Sequence, residues 1–559
     1  MGLSYAGHFA IFAERSSVPV INGNATPPDT RGDISRRQFL QRSAATAGSL
    51  WLGGLATGAR SAAAKTPASL ARMNVVMFIT DQERAIQHFP LGWSQQNLPG
   101  LTQLERHGVT FENAFTNACM CSPARSTLMS GYFPDQHGVK YTLESNMEPP
   151  TYPQVSLPTP SALANIATVM SAAGYNVIYK GKWHCSKPAG ATASPSDLSA
   201  YGFSRWNPAD AGANQSLPEM GGGIADNDGR FMASAGDYTT GDEGALAFLT
   251  SVAASQQPFF MIISLVNPHD VLAYPRNFAA GGYSDEWLDG GIGLPATVDE
   301  DLRDKPRAQA AFLKIFNLSG KLRTPQQKQN YLNFYGNLMK SSDDYLVNVL
   351  AALKSVTTAS GSTLYDDTLV IRTADHGEMG LAHGGLRQKN FNFYEEAIRV
   401  PLVYSNPQLF KRPRRSSALV SHVDFLPTIA SLFAAPQGAR SAWQGRDYSR
   451  LVLRSKAAPV QDYIVFTYDD YQAGQADGPY VPPPQHIASL RETRWKIARY
   501  HDPAGTVRAE WEMYDLKSDP LETTNIARPG YPRTPSQSAQ LTRLRRKLAK
   551  VRATRLQPL

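Results

Sequence analysis

Cys121-Ser122-Pro123-Ala124-Arg125-Ser126-Thr127-Leu128-Met129-Ser130-Gly131 brings a sulfur nucleophile, a helix start and a cation within one turn of each other. Ser122 is a candidate cap and Pro123 suits the first helical position, so the run reads as a loop entering a helix. Cys121 then lies at the helix N-terminus, where backbone N–H groups and the helix dipole favour an anion. Arg125, one turn on, can lean back toward the same anion. A buried cysteine in an ordinary capped helix has the same local pattern, because cysteine is often a small core residue. Two carboxylates stand out elsewhere. Asp81 and Asp375 each end an apolar, β-branched run, although 294 residues separate them.

Those runs, at 75–80, 259–266 and 368–371, are continuously apolar, as strands buried on both faces of a mostly parallel sheet are. Helical patterns lie between them. Leu163, Ile166, Met170 and Ala173 mark one, opened by Pro160-Ser161, closed by Gly174 and feeding a strand at 175–179. A long one follows Thr324-Pro325, with Tyr331, Phe334, Leu338, Tyr345, Val349 and Leu353 on its apolar side. The alternation predicts an α/β sandwich with helices on both faces of the sheet. Ligands of such sheets bind beyond the carboxyl ends of the strands, where Asp81 and Asp375 stand. Short alternating strands at 462–468, 487–491 and 495–500 predict a small antiparallel sheet packed on the main domain.

Of the 559 residues, 42% are apolar and 10% aromatic, which excludes a disordered chain. No run of 18 apolar residues exists outside a Gly- and Ala-rich N-terminal stretch, which excludes a polytopic membrane protein; no stable membrane insertion is expected. The net charge of +8 is a property of the two ends. Residues 1–64 carry six Lys/Arg against three acids, residues 540–559 carry seven and none, and the remainder sums to −2. Leu541, Leu544, Leu548 and Val551 recur at helical spacing, predicting a basic terminal helix docked on the body. A nucleic-acid or membrane patch is the alternative; no zinc-finger, RNA-binding or helix-turn-helix signature supports it, so no nucleic-acid partner is expected. Three cysteines, Cys119, Cys121 and Cys185, make no disulfide framework.

Ser35-Arg36-Arg37-Gln38-Phe39-Leu40, a weakly apolar stretch at 44–55 and Ala62-Ala63-Ala64 look like a twin-arginine export signal; an ordinary basic, Ala-rich tail is the alternative. The expected partner is the twin-arginine translocase, and the expected location of the mature chain, from about Lys65, is the periplasm or the exterior. The predicted organisation is a signal region at 1–64, a linker at 65–72, a catalytic domain at 73–435 and a C-terminal subdomain at 436–559.

C-x-P-x-R with a glycine six residues after the arginine (Gly131) resembles the signature of the sulfatase family, in the alkaline phosphatase superfamily. The resemblance runs roughly from 74 to 527. It implies an alkaline-phosphatase-like sandwich and the oxidation of Cys121 to formylglycine, whose hydrate is the nucleophile, by a formylglycine-generating enzyme. Ile79-Thr80-Asp81-Gln82 resembles the family's first metal segment, with Gln82 where many members have a second acid, as in the choline-sulfatase and phosphonate-monoester-hydrolase branch. Thr373-Ala374-Asp375-His376-Gly377-Glu378 resembles the second, with His376 where many calcium-dependent members have Asn. The implied ligands of one divalent cation are Asp81, Gln82, the converted Cys121, Asp375 and His376. Hard oxygens put calcium first, and the imidazole brings in manganese or zinc. Without the resemblance, Asp-His-Gly reads as a turn and Asp81 as a helix cap.

The resemblance also assigns Lys182 and His184, in Gly181-Lys182-Trp183-His184, to the sulfate and to the formylglycine hydroxyls. His269, in Asn267-Pro268-His269-Asp270, matches the general acid, though relatives in the choline-sulfatase branch often have His where Asn267 stands. Lys389 takes the place of a second sulfate-contacting lysine, with Arg387 a rival and His383 within reach of the pocket. Residues 394–402, Met513-Tyr514-Asp515-Leu516, Asp519, Glu522 and Asn525 read as scaffold.

Sulfate esters resist hydrolysis because their oxygens repel nucleophiles, so the site calls for fixed positive charge from the metal, Arg125, Lys182 and Lys389. A plain Ser or Cys would be left as a stable sulfated adduct. An aldehyde hydrate keeps a second hydroxyl whose deprotonation expels sulfate. The expected function is hydrolysis of a small-molecule or saccharide sulfate monoester. The alternatives are a phosphonate monoester or phosphodiester hydrolase on the same scaffold and a non-catalytic metal-loaded binding protein. Thiol redox chemistry by Cys119 and Cys121 fits poorly, having no thioredoxin-like context.

Overall fold

The computed structural model describes residues 70–143, 164–188, 193–252, 257–318, 320–440, 442–454, 456–473 and 481–558. The export signal, the helix opening at Pro160-Ser161 with Leu163, and most of the linker lie outside them. Twelve strands are present among the described residues: β1 (Asn74–Thr80), β2 (Gly108–Phe115), β3 (Ala118–Cys119), β4 (Asn176–Gly181), β5 (Phe259–Ser264), β6 (Thr368–Ala374), β7 (Leu402–Ser405), β8 (Arg414–Ser421), β9 (Tyr463–Tyr468), β10 (His486–Glu492), β11 (Trp495–His501) and β12 (Glu510–Asp515). Seven form one sheet in the order β4-β5-β1-β6-β7-β2-β8. Only β7 runs against its neighbours. The second sheet, β12-β11-β10-β9-β3, is antiparallel but for the β3–β9 pair. The predicted fold, a large mostly parallel sheet with a small antiparallel one, is the fold observed.

The continuous apolar runs are central strands for the reason the pattern gives. On β1, Val75, Met77 and Ile79 enter one core cluster while Val76 and Phe78 enter another, so successive side chains fill opposite faces. The long helix Pro325–Ser355 begins with a capping box on Thr324. Its second half packs Leu346, Val349, Leu350 and Leu353 under the sheet, while Tyr331, Phe334, Tyr335 and Leu338 join an aromatic cluster. The terminal helix Pro535–Arg555 buries Leu541, Leu544, Leu548 and Val551 against the second sheet.

One charge interrupts the sheet. Arg372, in the middle of β6, is fully buried, and its Nη2 donates to both carboxylate oxygens of buried Glu83 at 2.7 Å. Glu83 also accepts from the Thr80 hydroxyl at 2.8 Å.

Three local expectations change. The helix predicted from Pro160-Ser161 is Ile166–Ala172, capped by Asn165, whose side chain accepts from the N–H groups of Ala167 and Thr168. The helix at Cys121 begins two residues earlier than a Ser122 cap would place it. Met120 holds the extended cap position, the helix is Cys121–Ser130, and the Ser122 hydroxyl instead accepts from the Leu143 N–H at 3.0 Å. Met513, Tyr514 and Asp515, read only as scaffold, lie in a strand, β12, that begins at Glu510.

Candidate active site

The register of the large sheet assembles the centre. Thr80 on β1 stands opposite Ala374 on β6, so Asp81 and Asp375 leave the sheet side by side. On the other flank Ser264 pairs with both Ile79 and Gly181, placing Lys182 and the segment after β5 at the same edge. Gly181, at φ 96°, turns Lys182 inward, and a Cβ there would lie 2.0 Å from the Ser264 carbonyl oxygen. Gly377 is required for the same reason, since a Cβ would lie 1.9 Å from the Glu396 carbonyl oxygen.

Asp81, Cys121, Asp375 and His376 present ligand atoms within 4.8 Å of one another, all buried. Cys121 Sγ is 3.1 Å from His376 Nε2 and 3.6 Å from Asp81 Oδ1. His376 Nδ1 is 3.0 Å from the Gly377 carbonyl oxygen, which accepts its proton and leaves the Nε2 lone pair facing the cluster. Burial, and then the Lys389 charge, hold this imidazole well below its usual pKa, in the neutral form a metal requires. Burial and the adjacent Asp81 push the Asp375 carboxyl up. Asp81 is pulled the other way: burial opposes its charge, but Lys182, His269 and Arg125 hold it ionised. Burial and Asp81 push the Cys121 thiol up to about 12, so the unmodified side chain is a neutral thiol and a poor nucleophile.

Arg125 does not lean toward an anion at the helix end. Its Nε donates to Asp375 Oδ2 at 2.9 Å, Nη2 to Asp81 Oδ2 at 3.1 Å, and Nη1 to Ser264 Oγ and the Lys182 carbonyl at 2.7 and 3.0 Å. It clamps the two aspartates together. Lys182 Nζ lies 2.6 Å from Asp81 Oδ2 and donates to the Gly212 carbonyl at 2.5 Å. Lys389 Nζ donates to Gln82 Oε1 at 2.7 Å, and Gln82 Nε2 donates to Glu378 Oε2 at 2.5 Å. Gln82 thus stands at the centre with its oxygen toward Lys389. Its backbone, at φ 68°, is held by an N–H bond to Asp375 Oδ1 at 3.0 Å.

His184 donates from Nε2 to the Leu143 carbonyl at 3.0 Å, and its buried Nδ1 has no partner among the described residues. The N–H groups of Trp183 and His184 both donate to the Asp210 carboxylate, at 2.8 and 2.7 Å, which pins this segment. His269 opens the 3₁₀ turn His269–Ala273 and is almost fully buried. Burial and the Lys182 charge push its imidazole well below the usual value, and its ring makes no hydrogen bond among the described residues.

Two neighbours leave the centre. Arg387 turns to the Gly320 carbonyl at 2.9 Å, which leaves Lys389 as the lysine of that loop at the centre. His383 stacks on Tyr394 at 3.6 Å, with Nδ1 2.6 Å from Glu300 and Nε2 3.7 Å from Glu396. Burial opposes its charge, but the two carboxylates raise its pKa to about 9. The pair's stability is therefore fully present below about pH 6.5 and is lost as pH rises through about 9. His383→Gln is expected to cost on the order of 2–3 kcal/mol near neutrality, with the penalty shrinking above that range. Urea unfolding midpoints of both proteins across the range measure it.

Sequence reasoning missed Ser264, Asp210, Glu378 and Tyr331. Glu378 had a signal, a second acidic residue in the segment of Asp375. Asp210 lies in an irregular loop and had none.

The sequence model of the sulfatase family matches residues 73–435, and that described as N-sulphoglucosamine sulphohydrolase, C-terminal, matches 383–554. The chain belongs to the sulfatase family. It is an enzyme, a hydrolase of sulfuric esters, in the alkaline phosphatase superfamily. This sulfatase is 25% identical over 502 residues to the choline-sulfatase of Rhizobium meliloti, covering 84% of this chain and 85% of the relative. It is 26% identical over 435 residues to the Delta 4,5-hexuronate-2-O-sulfatase of Bacteroides thetaiotaomicron, covering 77% and 79%. In fold it is similar to a solved 2-O GAG sulfatase, with TM-score 0.63, 20% identity and coverage of 86% of this chain and 92% of that one. It is similar too to the phosphonate monoester hydrolase SpPMH of Silicibacter pomeroyi, with TM-score 0.60, 22% identity and coverage of 86% and 96%. The family's sheet and second sheet are those described above.

Proposed function

We propose that this sulfatase hydrolyses a saccharide or small-molecule sulfate monoester through a formylglycine hydrate made from Cys121, beside one divalent cation. The observation that carries the reading is the position of Cys121 Sγ, 3.1 Å from His376 Nε2 and 3.6 Å from Asp81 Oδ1, in a ring of Arg125, Lys182 and Lys389. The donor set fits a cation. Two buried carboxylates face one another beside a neutral imidazole whose lone pair points between them, and Asp81, Gln82, Asp375 and His376 with the converted Cys121 would hold it. When bound, the cation supplies positive charge for the sulfate oxygens and makes the hydrate hydroxyl more acidic.

The remaining steps belong to the chain. Arg125 fixes the aspartates, and Lys182 and Lys389 bind sulfate oxygens. His269 protonates the departing alcohol oxygen. Burial and then the Lys182 charge hold its pKa down, and a sulfate seated between the two lysines offsets the second of these and favours the proton. His184 removes the proton of the second hydroxyl, and the adduct collapses to aldehyde and sulfate.

A second reading, a phosphonate monoester or phosphodiester hydrolase, is favoured by Gln82 and His376 and by the SpPMH likeness in fold. Two measurements decide. The mass of the Cys121 peptide is expected to show an aldehyde, and an intact thiol in the active protein would end the proposal. Turnover of an aryl sulfate is expected to exceed that of an aryl phosphonate; the reverse ranking selects the second reading.

Glu378 sets the amide of Gln82. As a carboxylate it only accepts, from the Tyr331 hydroxyl, the N–H groups of Gly380 and Gln388, and Gln82 Nε2, so Gln82 Oε1 faces the centre. Glu378→Gln sets one NH₂ against another and flips Gln82. Cation affinity, measured by competition with a chelator, is expected to fall about 10–100-fold. Adding Gln82→Glu is expected to restore it, because a carboxylate at 82 needs no orienting.

The proposed organisation is a signal region at 1–64, a linker at 65–72, a catalytic domain at 73–435 and a C-terminal subdomain at 436–559. Export of the folded, modified enzyme by the twin-arginine translocase to the periplasm or beyond follows. No helix among the described residues is long and apolar enough to cross a membrane. Replacing Arg36 and Arg37 by Lys is expected to hold the protein in the cytoplasm, and normal secretion of that variant refutes the route.

A further inference from the structure

A cavity of about 380 Å³ opens beside the loop that leads to Lys389. Its charged lining is Lys321, Arg323, Lys328, Arg387, Asp299 and Glu300. These charges do not cancel. Glu300 is held between His383 Nδ1 at 2.6 Å and Lys305 Nζ at 3.0 Å, and Asp299 faces Lys328 Nζ at 3.0 Å. Lys321, Arg323 and Arg387 have no ion pair among the described residues. Lys321 and Arg323 are exposed at the rim, whereas Arg387 is 3% exposed.

Arg387 is the informative residue. Its Nη2 donates to the Gly320 carbonyl, and the guanidinium lies 4.3 Å over the Phe316 ring. Among the described residues that is one hydrogen bond for a group with five N–H donors. Glu378 is the carboxylate acting on it, but no carboxylate among the described residues pairs with it directly. A nearly buried guanidinium left so is costly, and its planar fork matches a carboxylate or sulfate in two parallel bonds. Two residues further along the same loop, Lys389 Nζ reaches the catalytic centre.

We propose that this cavity is an anion pocket, anchored by Arg387 and rimmed by Lys321 and Arg323, that takes a carboxylate or sulfate group. The group comes either from a second charged position on the sulfate-ester substrate, which rests on the function proposed above, or from a separate small anion.

The test titrates the full chain calorimetrically in a Cys121→Ala background, which stops turnover, with D-glucuronate and with a heparin-derived sulfated uronate disaccharide. Arg387→Gln and the rim variant Lys321→Glu/Arg323→Glu are each expected to weaken binding by at least about tenfold. Restored to Cys121, the rim variant is expected to turn over an aryl sulfate within about twofold of wild type, because neither residue touches the catalytic centre. Loss confined to the disaccharide identifies a second group of the substrate, and equal loss for glucuronate identifies a free anion. Unchanged affinity of the rim variant for both probes overturns the pocket, whatever the fate of Arg387→Gln. Failure of wild type to hydrolyse any sulfate ester removes the proposed function but leaves variant-dependent binding as evidence of the pocket.

Discussion

Alanine in place of Cys121 is expected to lower turnover of an aryl sulfate by at least about 10⁴-fold, the scale on which a covalent nucleophile matters. The protein should remain folded. The side chain is small, and removing one buried sulfur costs on the order of 1 kcal/mol. Serine separates the nucleophile from the aldehyde. Its hydroxyl can be sulfated once, but it carries no second hydroxyl to expel sulfate, so a single burst followed by a stable sulfated peptide is expected. Stopped-flow amplitude and the peptide mass read the two events separately. Full turnover by the alanine variant would remove the basis of the mechanism.

Glu83→Ala is expected to destabilise the fold by about 3–5 kcal/mol, because it leaves the Arg372 guanidinium charged and buried in the central sheet. Its Nε and Nη1 already lack hydrogen-bond partners among the described residues, and Asp343, the next carboxylate acting on it, is engaged by the N–H groups of Gly100 and Leu101. Glu83→Leu with Arg372→Met removes both charges and should recover most of the loss, since buried ion pairs exchanged for apolar groups of similar size are often neutral. Urea unfolding midpoints of the three proteins test the pair. A single variant as stable as wild type would mean that water reaches the guanidinium.

The sequence revealed those parts of the molecule that repeat a local rule. Continuous apolar runs at 75–80 and 368–371 became central strands because both faces of the sheet are covered, and Thr324-Pro325 became a helix start through its capping box. Asp81, Cys121, Asp375, His376, Lys182 and Lys389 were legible through their motifs, and the register of β1 and β6 explains why two such distant aspartates meet. What could not be read depends on contacts between remote segments. The Ser122 cap failed because Met120 arrives already extended, and the Ser122 hydroxyl is taken by Leu143. Arg387 and Lys389 were rivals on paper, since spacing does not say which way a loop with Gln388 at φ 70° will face. Asp210 was invisible because one carboxylate gathering two backbone N–H groups leaves no periodicity.

For the proposed oxidation of Cys121, the short strand β3 sets a deadline. Ala118 and Cys119, immediately ahead of Cys121, pair with Thr467 and Tyr468, about 350 residues later in the chain. Until β9 has been synthesised, the peptide around Cys121 has no sheet to join. At about 5–20 residues per second that interval lasts roughly 20–70 s. On the oxidation of Cys121 proposed above, an enzyme that must grip the extended peptide would work in that window; once β9 docks, Cys121 is 2% exposed.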